Sequence, residues 1–214
     1  DLTPEEVTDV RGQARFLRAY FYWLLLRKFG PIPILPPEGA DYTKSYDELA
    51  YPRKTYDECV SFITSELEIA ATELFEKRDN LNIARPTKGA ALAVRAKVFL
   101  YAASPLVNGN EWYKGFKNYD GQERFNSTYD ATKWKRAADA CKDLIDAAHA
   151  AGHDLVREYN ADGSIDPFMS CYNVHMLRGD LNPEALFVRA DCNYSEYEAL
   201  STPRGASGNG GFGV

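Results

Sequence analysis

The stretch RFLRAYFYWLLLRKFGPIPIL (residues 15–35) decides how the chain is read. It places Phe16, Leu17, Tyr20, Phe21, Tyr22, Trp23 and the three leucines Leu24, Leu25 and Leu26 within about three helical turns. It then halts at Gly30 and passes into alternating proline and isoleucine. Three readings compete: a membrane segment, a core helix and an aromatic binding face. The uninterrupted apolar run covers residues 19–26, far short of the ~20 residues that cross a bilayer. At 100° per residue, Arg11, Arg15, Arg18 and Tyr22 fall on one stripe, and Phe16, Tyr20 and Leu24 fall opposite. Leu17, Phe21 and Trp23 flank the apolar side, so the second half is apolar nearly all round. That pattern predicts a core helix covered on more than one side.

The ends of this helix are marked. Thr3 is a cap, Pro4 suits the first helical position, and Glu6 completes a capping box. Gly30 is placed to close the helix, and Pro31 forbids its continuation. Thr55-Tyr56-Asp57-Glu58 repeats the capping box. Behind it Cys59, Phe62, Ile63, Leu67, Ala70, Ala71 and Leu74 keep helical spacing to about Phe75. Thr87 caps a third helix, KGAALAVRAKVFLYAAS (88–104), which Pro105 ends. Its alanines allow close approach of neighbouring backbones. A fourth helix runs from about Ala131 to Gly152. Helices two, three and four start 32 and 44 residues apart, near the 34-residue tetratricopeptide period but irregular. The expected fold is mainly α: irregular tetratricopeptide-like helical hairpins in an α-α superhelix, with long loops and little β structure. Residues 1–200 form the helical region, with EALFVR (184–189) a possible short strand. The Gly- and Ser-rich residues 201–214 read as a loop or linker.

The bulk numbers set outer limits. With 214 residues, the chain can bury one real core, or at most two small ones. Hydrophobic residues make up 45% and charged residues 26%, which argues against global disorder. Aromatic residues reach 13%, including 14 tyrosines, and these need an explanation. The net charge of −6 leaves no basic footprint for nucleic acid, and no Lys/Arg-rich amphipathic helix for an anionic membrane surface. Cys59 and Cys141 sit in helical patterns as buried free thiols. Cys171 and Cys192 lie in a less regular region where pairing stays open. No cysteine spacing fits a zinc template.

Motifs for catalysis and metal binding are absent. His149 and His153 are four apart, a helical ligand spacing, but Gly152 ends the helix between them and no third ligand is placed. No nucleophile elbow, Ser-His-Asp order or phosphate loop occurs. No catalytic residue, metal or cofactor is therefore expected. Two long loops remain, residues 31–54 and 105–130, and loops of this length are functional or disordered. The second holds Trp112, Tyr113, Phe116, Tyr119, Phe125 and Tyr129 among Asn and Gly, too aromatic for disorder. Rings beside amides and hydroxyls suit a ligand with an apolar face and a polar rim, as sugars have. Equally, the rings could simply pin the loop to the helices. Trp112 and Tyr113, with Asn108 and Asn110 beside them, are the candidate contacts.

Three segments in order carry a family resemblance: ARFLRAYFYWLLLRKFGPIPIL (14–35), RKTYDECVSFITSELEIAATEL (53–74) and RPTKGAALAVRAKVFLYAASPLVNG (85–109). Together they resemble the SusD/RagB family of nutrient-binding outer-membrane lipoproteins. The fourth helix and NPEALFVR (182–189) fit more loosely. The resemblance covers only the middle of a typical member, so the chain reads as a fragment without the lipidated cysteine. It implies a tetratricopeptide-like scaffold on the outer face of the cell outer membrane. There the protein captures oligosaccharide or polysaccharide and delivers it to a TonB-dependent, SusC-like transporter. The only membrane tie it implies is a lipid anchor missing from this chain. The rival readings are a helical interaction scaffold binding a peptide or other non-sugar nutrient and, last, a glycoside hydrolase. The family has no fixed sugar-contact motif, so the four candidate residues rest on their own chemistry.

Overall fold

The computed structural model describes residues 2–188. The helices fall where the caps place them. Helix α1 spans Pro4–Phe29. The Thr3 hydroxyl accepts from the Glu6 N–H at 3.2 Å, and the Glu6 carboxylate accepts from the Thr3 N–H at 2.7 Å. Gly30 ends the helix at φ 69°, a left-handed conformation that glycine adopts without penalty. A four-residue helix α2, Tyr46–Leu49, interrupts the first long loop. Helix α3, Tyr56–Glu73, starts on the Thr55/Glu58 capping box. Helix α4, Lys88–Ala103, starts on Thr87, and α5 spans Thr132–Ala150. Beyond it, β1 (Glu158–Tyr159) pairs antiparallel with β2 (Ile165–Asp166), and α6 covers Pro167–Met176. The β1–β2 pair, α6 and α2 are too short to show a hydrophobic period.

Helices α1, α3, α4 and α5 stack in sequence order, each packing chiefly on the next. Their directions alternate. The start of α1 meets the end of α3, where Gly12 lies against Glu73 and Leu74. The other end of α1 meets the start of α3, where the Lys54 N–H donates to the Ile32 carbonyl at 3.1 Å. The alternation fixes where function can sit. The α1–α3 and α4–α5 connections, which are the two long loops, both emerge at one end of the stack.

The core runs through α1 along Gly12, Phe16, Ala19, Trp23 and Leu26, joined by Ile63, Leu67 and Ala70 of α3 and Ala91 and Val98 of α4. The arginine stripe finds its partners on α3. Arg11 and Arg15 pair with Glu73, and Arg15 also pairs with Glu66. Asp9, 3% exposed, is held by both terminal nitrogens of Arg78 at 2.7 and 2.8 Å.

Three expectations need correction. Cover on more than one side of α1 is only partial. Phe187 packs edge-on against Phe16 and Tyr20, but Leu17, Phe21, Leu25 and Phe29 stay exposed. The short strand over residues 184–189 does not form in its described part. The chain turns at Asn182, whose carbonyl accepts from the Ala185 N–H, and among the described residues no strand pairs with it. Finally, Cys59 is buried but Cys141 only half-buried, and Cys171 is exposed on α6. Cys192, residue 189 and the segment 201–214 lie outside the described residues.

Candidate functional site

Where the two long loops meet, they enclose a cavity of about 310 Å³. The end of α1 supplies Leu26 to Phe29, with Gly30 and Pro31 beyond it. The end of the first long loop gives Arg53, the start of α3 gives Tyr56, and the end of α4 gives Tyr101. The 105–130 loop contributes Leu106, Val107, Tyr113, Phe116, Arg124 and Phe125.

The loop is held by a specific network. Arg124 N–H donates to the Phe116 carbonyl at 2.8 Å, and Asn118 N–H to the Gln122 carbonyl at 2.9 Å, which folds residues 116–124 back on themselves. Asn118 then reaches outward. Its amide donates to the Arg53 carbonyl at 2.7 Å, and its oxygen accepts from Arg124 Nε at 2.9 Å. The Tyr56 N–H donates to the Arg124 carbonyl at 2.8 Å. Arg53 in turn donates to the carbonyls of Phe29 and Pro31 at 3.4 and 3.1 Å. One amide side chain thus ties both loops to the end of α1.

Rings complete the wall. Phe125 stacks on Tyr113 with centroids 4.2 Å apart and on Tyr56 at 5.6 Å. Phe116 meets Tyr113 edge-on. The hydroxyls of Tyr56, Tyr101 and Tyr113 make no hydrogen bond among the described residues. Burial, with Asp57 nearby, pushes the Tyr56 phenol well above its ordinary value, so it stays a neutral hydroxyl able to donate or accept. Apolar rings with free hydroxyls suit a ligand that is flat on one face and polar at its rim.

The structure separates the four residues that sequence marks. Tyr113 lines the cavity. Trp112, its neighbour on the 3₁₀ turn Glu111–Tyr113, points away and is 90% exposed. Asn110 shapes that turn: its oxygen accepts from the Trp112 N–H at 3.0 Å, and its amide donates to the Leu106 carbonyl at 2.8 Å. Asn108 is buried. Its amide donates to the Ala103 and Asp130 carbonyls, and its oxygen accepts from the Asp130 N–H. Sequence reasoning missed Tyr56, Tyr101 and the arginines. One signal was available: with alternating helices, the first and third connections share an end, so the flanks of both long loops were candidates.

A second cavity of similar volume lies at the opposite end of the stack, among Lys77, Asn80, Ile83, His153 and residues 179–183 and 185–188. Phe187 is its only phenyl ring. Among the described residues no group of three or more His, Cys, Asp or Glu is arranged to hold a metal. No described helix is long and apolar enough to cross a membrane.

Residues 1–100 match the model of the SusD-like family described as "starch-binding associating with outer membrane". No curated protein matches the chain. Among solved structures, the protein BT4246 is 34% identical with a TM-score of 0.67, over 72% of this chain and 27% of that one. Surface glycan-binding protein A from Bacteroides uniformis is 19% identical with a TM-score of 0.56, over 95% and 35% of the two chains. A SusD-like protein from Bacteroides fragilis is 20% identical with a TM-score of 0.52, over 76% and 24%. The last two, at that identity, speak to the fold alone. The chain spans about a quarter to a third of the length of these solved structures.

Proposed function

We propose, from the match of residues 1–100 to the SusD-like family model and the 34% identity to BT4246, that the chain is the helical part of a SusD-like cell-surface glycan-binding protein. In this reading the whole protein is lipid-anchored to the outer membrane. It captures oligosaccharide and passes it to a TonB-dependent, SusC-like transporter, binding without cleaving. The observation that carries the reading is the ring-walled cavity between the two long loops, lined by three tyrosines whose hydroxyls have no partner among the described residues. Tyr113 forms its wall, and Trp112 offers a second, exposed platform beside it. Asn108 and Asn110 hold the segment that presents both.

Stacking on one ring contributes on the order of 1 kcal/mol, so a single small cavity should bind in the micromolar to millimolar range. Titration calorimetry against a panel of oligosaccharides tests this. The expected result is saturable heat that weakens in Trp112→Ala and in Tyr113→Phe. Silence across the whole panel, from both this chain and the full-length protein, would overturn it. A transporter that co-purifies while every glycan stays silent would make the chain an interaction scaffold instead. New reducing ends after incubation with polysaccharide would make it a hydrolase.

A further inference from the structure

The charge around the cavity is uneven. Arg27, Lys28, Arg53 and Arg124 line it, and no Asp or Glu does, in a chain whose net charge is −6. Elsewhere arginine is almost always paired. Arg11, Arg15, Arg18, Arg78, Arg95, Arg136, Arg157 and Arg178 each have a carboxylate within 4.0 Å. Among the described arginines, only Arg27, Arg53, Arg85 and Arg124 have none, and three of these line the one cavity.

Two of the cations are pre-positioned. Arg53 is fixed by the Phe29 and Pro31 carbonyls through one terminal nitrogen. Arg124 is fixed by Asn118 through Nε. Each keeps further N–H groups unspent among the described residues, so the cost of ordering them is already met in the free protein. Arg27 and Lys28, in the last turn of α1, also complement the helix dipole. That end carries only about half a negative charge, too little to balance four cations.

The geometry points to an acidic sugar as the ligand of this cavity: a uronate or sulfated unit of an oligosaccharide. Its anionic group meets the guanidinium groups of Arg27, Arg53 and Arg124, and its ring lies against the tyrosines. This rests on the cavity being the glycan site. It narrows the ligand from glycans in general to those carrying a carboxylate or sulfate.

The test uses the 214-residue chain and three probes: a galacturonate trisaccharide, the same trisaccharide as its methyl ester, and a sulfated disaccharide. Calorimetry should give a free acid at least about tenfold tighter than its ester, as hydrogen bonds to a charged group are worth more than neutral ones. Raising the salt should shrink that gap. Arg27→Gln removes a side chain that makes no hydrogen bond among the described residues. It should weaken the acid several-fold and the ester much less, with an unaltered circular dichroism spectrum. The sulfated probe binding in place of the uronate would support the same chemistry with sulfate as the anion. An ester bound as tightly as the acid would overturn the inference and leave the glycan reading standing. Silence from all three probes, together with a silent neutral panel, would sink both.

Discussion

Tyr113 and Phe125 stack face to face, with ring centroids 4.2 Å apart and planes 15° from parallel. Phe125 stacks in the same sense on Tyr56, so three rings from the loop and from α3 form one column. One face of Tyr113 is therefore spent on the fold. What remains for a ligand is the rest of the ring and its hydroxyl, while the neighbouring Trp112 is 90% exposed.

The two neighbours should separate stability from binding. Trp112→Ala should leave the melting temperature nearly unchanged, within about 0.5 kcal/mol of stability. It should lower glycan affinity about fivefold, the equivalent of ~1 kcal/mol of stacking. Tyr113→Ala should instead cost about 2 kcal/mol of stability. Thermal denaturation beside calorimetry distinguishes them, and a Trp112→Ala protein that melts early would contradict the exposed placement.

The loop should open when its buried amide is removed. Asn108→Ala leaves the Asp130 N–H and carbonyl without their side-chain partner, a loss of about 2 kcal/mol. Residues 105–130 should then be cut faster by a protease under native conditions. Gly109→Ala should act likewise. Its φ is +73°, and an added Cβ would sit 2.8 Å from the Tyr129 Cα, a contact that neither backbone can relieve locally.

Acid should weaken the opposite end of the stack. Burial alone would raise the Asp9 carboxyl, but Arg78, the Phe75 N–H and Gln13 bind its charged form and hold it below the ordinary carboxylate value. A group depressed in the folded state contributes its stability above its unfolded value, near pH 4. That contribution is lost as the pH falls through the folded value. Chemical denaturation as a function of pH should therefore show a fall below about pH 4 that is smaller in Asp9→Asn. At neutral pH this variant should lose about 3 kcal/mol, because Arg78 is left buried and unpaired.

Close approach of α1 and α3 should be equally intolerant. At Gly12 an added Cβ would lie 2.8 Å from the Glu73 Cβ and 3.2 Å from the Leu74 side chain. Gly12→Ala gains helix propensity, yet the crowding should cost about 1–3 kcal/mol and lower the melting temperature. A rise in melting temperature would show that the helices can part without loss.

Much of the scaffold could be read from the chain alone. Thr3 with Glu6, Thr55 with Glu58, Thr87 and Gly30 mark helix ends through bonds that close within one turn, and Pro105 does so by lacking an N–H, so distant residues hardly matter to them. The apolar period of each helix likewise showed that a core exists, and three quoted segments pointed to the family. The tertiary structure decided which rings are free. Trp112 and Tyr113 are adjacent and chemically alike, yet one faces solvent and the other joins a stack with Phe125, because their environments come from residues far away in sequence. It also decided where charge gathers. Arg27, Arg53 and Arg124 belong to three separate segments, and no local pattern links them. They meet because the alternating helices bring the end of α1, the loop leading into α3 and the loop after α4 to the same end of the stack.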